Sequence, residues 1–149
     1  MSRFEGNADE VRRKVRAGIR RNMREALLLY QRGLQQTLTG QRSGERYRVP
    51  FTGEFGVPGT GRHYTASAPG EPPARRTGDL HGSIDQRLES DTHGVAGTDK
   101  QYGLYLDRGT RNMRPRPWIR PGFYRVEREI VAAMTRRVDC WMTNCWSLS

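Results

Sequence analysis

The sequence predicts an α+β fold: a long N-terminal helix and a C-terminal helix packed on a small, mostly antiparallel β-sheet, with a long Gly/Pro-rich loop between. Three observations carry this. Apolar residues recur mostly every fourth position from Val11 to Leu38, residues 84–90 alternate in polarity, and Pro121 opens a second stretch of helical spacing. At 149 residues the chain fits one domain with a single modest core, expected to span residues 1–138 with residues 139–149 as a tail.

The first helix is predicted from the row Val11, Val15, Ile19, Met23, Leu27, Tyr30, Leu34 and Leu38, with Asn7 or Asp9 as its cap. The stripe is narrow. Around it lie Arg12, Arg13, Lys14, Arg16, Arg20, Arg21 and Arg24, with Gly18 and Gly33 as weak points or close-packing sites. Those arginines are either a solvated face or a face that meets an acidic neighbour or DNA. Gly40 is expected to end the helix.

Of the 25 Gly and Pro residues, 13 fall between Gly40 and Gly78, which marks residues 40–76 as one long irregular segment with short extended pieces at Arg46–Phe51 and Arg62–Ala66. Tyr47, Phe51, Phe55 and Tyr64 are spread through it, and aromatics in a loop need somewhere to go. The segment is expected to pack on its own domain or to clasp a neighbouring subunit, with stacking on single-stranded nucleic acid as the rival reading.

Downstream, Thr77 is expected to cap a short turn of helix in which Leu80 and Ile84 form an i, i+4 apolar pair. Ile84, Gln86 and Leu88 then alternate with Asp85, Arg87 and Glu89 as a strand, and residues 91–94 turn into a second strand at Val95–Thr98. Tyr102, Leu104, Tyr105 and Leu106 form a brief helix or tight apolar segment expected to pack, stopped by Gly109-Thr110 in a backbone conformation suited to glycine. Arg111, Arg114 and Arg116 lie on a loop stiffened by Pro115 and Pro117, a contact for an acidic neighbour. Trp118 and Ile119 should anchor that loop in the core. Pro121 suits the first turn of a helix to about Val138, with Phe123, Val126, Ile130, Ala133 or Met134, and Val138 facing inward.

Composition narrows the function classes. The net charge is +10, and of 26 basic residues only Lys14 and Lys100 are lysine, so acidic partners, protein or nucleic acid, are expected. Mean hydropathy is -0.86, which leaves much of the chain as surface or as surface that a partner covers. No stretch has the apolar core of a signal peptide or the length of a membrane span, so synthesis in a cytoplasm is expected. Cys140 and Cys145 match neither a CxxC pair nor a zinc knuckle and read as free thiols. His63, His81 and His93 fall in loops or turns with no partner at metal-ligand spacing. Glu71 is an acid only in the sense that any carboxylate is, and Asp107 reads as a cap or an arginine partner. No catalytic residue, cofactor site or metal site is expected.

Two stretches together point to a family. Pro69-Gly70-Glu71-Pro72-Pro73 to Arg76-Thr77-Gly78-Asp79-Leu80 with Ser83-Ile84, then Tyr102, Tyr105-Leu106-Asp107-Arg108-Gly109-Thr110, Met113 and Arg116-Pro117-Trp118-Ile119-Arg120-Pro121, resemble the small neck or tail-completion proteins of long-tailed bacteriophages. That pattern is a Thr-Gly-x-Leu-x-x-Ser-Ile turn, a Tyr-Ala-x-Tyr-x-Glu-x-Gly-Thr segment and a Pro-Phe-Leu-Arg-Pro anchor. Here Gly103 replaces Ala, Asp107 replaces Glu, Arg108 stands where an apolar or aromatic residue is usual, and Trp118-Ile119 replaces Phe-Leu. The resemblance covers about residues 62–135. It implies a non-enzymatic virion protein of the head-to-tail junction, made in the bacterial host cytoplasm. Its partners would be further copies in a homo-oligomeric ring (hexamer or dodecamer), the adjoining connector, portal-side and tail proteins, and double-stranded DNA in the lumen. A basic nucleic-acid-binding module is the alternative.

Overall fold

The computed structural model describes residues 8–49, 62–75 and 77–144, with side-chain environments for 8–48, 63–75 and 77–135. Phe51, Phe55 and Asn7, and the side chains of Val138, Cys140 and Trp141, lie outside that range, as do Cys145 and Trp146. In chain order the elements are α1 (Ala8–Thr39), β1 (Arg46–Val49), β2 (Arg62–Thr65), α2 (Asp79–Gly82), β3 (Ile84–Leu88), β4 (Gly94–Thr98), α3 (Gln101–Arg108) and α4 (Ile119–Asn144). The class is the expected α+β with long helices at both ends. The sheet differs from expectation: β1 pairs with β2 and β3 with β4 in two separate two-stranded sheets.

The chain divides into two compact units. One takes the chain up to Gly33, Asp85–Gly97 and the chain from Phe123 on; the other takes Leu34–Ile84 and Thr98–Gly122. In the first unit, the Tyr30 and Phe123 rings meet edge to face with centroids 5.7 Å apart, and the Asn22 side-chain amide points at the Met134 carbonyl, 3.5 Å away. Phe123 is nonetheless exposed, so Val126 and Ala133 form the buried face of α4. Strand β4 comes so close to α1 that a Cβ on Gly94 would fall 2.5 Å from Leu27 Cδ1.

The buried side of α1 is not the narrow stripe its apolar residues predict. Leu27, Leu34 and Leu38 are buried, but so are Gly18, Asn22, Ala26, Gly33 and Thr37, whereas Val11 and Val15 are exposed. The buried side therefore takes in small and polar positions at i, i+4 spacing beside the leucines. Asp9 is not the cap: α1 already begins at Ala8, and Asp9 with Glu10 places negative charge in the first turn, where the helix dipole favours it.

The second unit is built round Trp118 and Leu34, the two largest fully buried side chains among the described residues. At the α1–α4 crossing a Cβ on Gly122 would sit 2.8 Å from Leu34 Cδ2 and 3.1 Å from Leu34 Cα, so only a glycine permits the approach. Strands β1 and β2 run antiparallel with Tyr47 opposite Tyr64, and the pairing continues where Gly44 N–H donates to Ala66 O and Ala66 N–H to Glu45 O. Helix α4 starts with Pro121 in its first turn, as the sequence predicts, and continues through Asn144, six residues beyond the expected end at Val138.

Candidate functional site

The residues carrying the sequence motif converge in the second unit, where each has a physical task. Thr77 Oγ1 donates to Asp79 Oδ2 and accepts, at 3.4 Å, the Asp79 backbone N–H. The cap position itself is Gly78, at φ 95°, a value that L side chains rarely adopt. Leu80 and Ile84 are both buried, but α2 ends at Gly82 and Ile84 opens β3, so they are not the expected i, i+4 pair on one helical turn. Ser83 Oγ donates to Leu80 O at 3.0 Å and lies 2.6 Å from Thr98 Oγ1, which in turn accepts the Lys100 N–H. The hydroxyl pair fixes the end of β4 against α2 just where α3 begins.

Helix α3 is positioned by its backbone rather than by its large side chains. Gly103 is its buried residue; a Cβ there would stand 2.9 Å from Thr98 Cγ2 and 3.0 Å from Leu80 Cδ1. The Gly103 carbonyl accepts the Trp118 indole N–H at 3.1 Å, a bond made in the core. Tyr102 and Tyr105, expected to pack, are 41% and 45% exposed instead. The correction has a physical cause: with Gly103 at the contact, the indole occupies the space beneath α3 and the tyrosines on either side are turned outward.

Asp107 links the two helices. Its Oδ1 accepts the backbone N–H groups of Trp118 (3.0 Å) and Ile119 (3.2 Å), satisfying orphan donors at the start of α4 and placing a negative charge at that helix N-terminus. Gly109 (φ 79°, ψ 176°) closes α3, its N–H donating to Tyr105 O at 2.8 Å, in a region reserved for glycine. Thr110 and Met113 then exchange backbone hydrogen bonds, and Arg116 N–H donates to Leu106 O at 2.8 Å. The loop 110–117 is therefore a folded projection. Arg111 and Arg114 are exposed, whereas Arg116 and Pro117 are half-buried.

A strap from the Gly/Pro-rich segment supports this projection: Gly70 N–H donates to Pro115 O at 3.1 Å. Glu71 holds the strap, accepting the backbone N–H groups of Ser43 and Ala68 at 3.1 and 3.0 Å as well as the Ser43 hydroxyl. These bonds, led by the Ser43 hydroxyl, pull its carboxyl down to about 2. Arg42 closes the end of α1, donating to Thr37 O (2.7 Å) and Pro73 O (3.1 Å), and its partial burial lowers its pKa. Sequence reasoning passed over Arg42 and gave Glu71 no role; a cation directly after the Gly40 stop was the available sign for the first.

Of the expected contact residues, Tyr47 is exposed on β1, with its hydroxyl donating to Glu45 Oε2 at 2.8 Å. That bond raises the phenol's pKa, and Arg116 is near enough to pull in the opposite direction. Tyr64, half-buried, lies across from it. Beside the projection, Leu38, Pro73, Leu80, His81, Tyr102 and Leu106 line a cleft of about 90 Å³. Burial, then the charge of Asp79, raises the Tyr102 phenol. Among the described residues no three His, Cys, Asp or Glu side chains gather as a metal site, and no helix is long and apolar enough to cross a membrane. No family model, curated protein or solved structure is significantly similar to the chain.

Proposed function

We propose that the chain is a non-enzymatic structural subunit of the phage head-to-tail junction, a neck or tail-completion component that acts in the virion as a closed homo-oligomeric ring around the DNA channel. The observation carrying this reading is the α3–α4 junction: a glycine, a capping aspartate and a buried indole are spent on holding two tyrosines and two arginines rigidly outside the core. The indole and the cap stabilise the domain itself, but the exposed tyrosines and arginines they present add little to a lone domain, whereas an assembling subunit gains a preorganised contact surface. Aromatic and arginine side chains are the types that dominate interface energetics. Heterologous contacts repeated round an axis close into a hexamer or dodecamer, and the flanking faces then meet portal-side and tail proteins.

The purified subunit is expected to give ring-sized species by native mass spectrometry and negative-stain imaging. Reversing Arg111, Arg114 and Arg116 to Glu is expected to leave the fold intact, by circular dichroism, while blocking the joining of heads to tails. A monomer that never associates with portal or tail assemblies would overturn the reading.

A further inference from the structure

We propose that Arg13, Arg16, Arg20 and Arg24 on α1 form a binding site for the phosphate backbone of double-stranded DNA. At 100° per residue these four fall within about 80° of the helix circumference, and they extend ~16 Å along its axis. All four are exposed. The opposite side carries Gly18 and Asn22, both buried, so the packing of the first unit turns the ladder outward. From Arg12 to Arg24 there are seven basic residues and no Asp or Glu. The nearby ion pairs, Asp9 with Arg12 (3.7 Å) and Glu10 with Lys14 (2.6 Å), engage cations outside the ladder, and of the four only Arg13 adds to the field that lowers the Glu10 pKa, after Lys14.

The chemistry favours duplex phosphate over other polyanions. Duplex DNA carries a charge every ~1.7 Å, so the ladder's length spans roughly nine phosphates, more than enough for four guanidinium forks. Arginine pairs with phosphate bidentately, where lysine offers a point charge. An anionic membrane would call for a bulky apolar face beside the cations, whereas Ala17 flanks the ladder's arc and the far side offers Gly18 and Asn22 with only Val11 and Val15 as exposed apolar side chains. The site does not depend on the ring reading: either can hold while the other fails.

The test is fluorescence anisotropy of the full chain on two unrelated 25-base-pair duplexes across a salt series. Four phosphate contacts predict a log–log salt slope of about −3.6 from the ladder, an affinity loss of roughly 150-fold between 50 and 200 mM salt, with little difference between sequences. The quadruple variant Arg13→Gln, Arg16→Gln, Arg20→Gln, Arg24→Gln keeps good helix formers and is expected to fold, checked by circular dichroism, and to lose that slope. Arg125→Gln with Arg128→Gln, exposed positions outside the assembling surface, is expected to bind as the parent does. An unchanged slope in the quadruple variant, equal loss in the Arg125/Arg128 variant, or tighter binding to phosphatidylglycerol vesicles or polyglutamate than to duplex would each overturn the proposal. Native mass of the same samples reports ring formation separately.

Discussion

The α3–α4 junction and the first turns of α1 both present apolar side chains at helical spacing, yet Trp118 is 1% exposed while Val11 and Val15 are 44% and 46% exposed. The difference does not lie in hydrophobicity. At the junction, the backbone is placed by specific devices: Gly103 admits the indole, Asp107 ties the start of α4 to the end of α3, and Gly109 turns the chain where a side chain would be strained. In α1 the buried positions begin at Gly18, Asn22 and Ala26, and the two valines lie N-terminal to them. Apolar periodicity predicts a helix; it does not decide which part of the helix is covered.

The largest expected effect breaks the junction at its centre. Trp118→Ala removes the largest fully buried side chain among the described residues and leaves the Gly103 carbonyl without its indole donor, and should cost about 3–5 kcal/mol in urea denaturation. A loss below 1 kcal/mol would mean the indole is dispensable and the comparison misplaced. Next, Gly109→Ala forces a side chain into a glycine-only conformation, with its Cβ 2.8 Å from Met113 O, and should cost about 1–3 kcal/mol. Asp107→Ala should cost about 1 kcal/mol, the usual worth of a helix cap, with Asp107→Asn retaining most of it because an amide oxygen still accepts. If Asn proves as damaging as Ala, the carboxylate's charge rather than its hydrogen bonds matters.

The strap allows a test by pH. Glu71 titrates at about 2 in the fold against an ordinary 4.5, so it binds protons less readily folded than unfolded. Its contribution is fully present above pH 4.5 and is lost as pH falls toward 2. Glu71→Gln should therefore leave the shape of the stability curve unchanged above pH 5 and flatten it between pH 4.5 and 2. An acid limb identical to the parent's would show that Glu71 does not hold the strap.

Much of this was legible in the sequence, for physical reasons that differ by element. The Gly40 stop, the Gly109 turn, the Trp118 anchor and Pro121 in the first turn of α4 follow from local backbone chemistry, which needs no knowledge of neighbours. The alternation of β3 is visible because a strand half-buried on one face writes its burial into every second residue. What escaped depended on partners distant in sequence. Asn22 and Thr37 are too polar to register as a core face, Gly18 and Gly33 register only as weak points or close-packing sites, and the outward turn of Tyr102 and Tyr105 follows from an indole 13 or more positions away. Glu71 joins residue 43 to residue 68, a closure that no spacing rule announces.

The smallest expected effect concerns the valines and gives the sharper side of the comparison. Val11→Ser and Val15→Ser, singly or together, should each stay within about 0.5 kcal/mol of the parent at micromolar protein, as surface substitutions do. The same double variant can be followed against concentration. If the parent's midpoint rises with concentration and the variant's does not, the exposed valines are covered by another copy in solution, and the first turns of α1 belong with the assembling surfaces. If both midpoints stay fixed, the valines are a solvated edge, and the outward-facing investment of the fold is confined to the junction and to the arginine ladder.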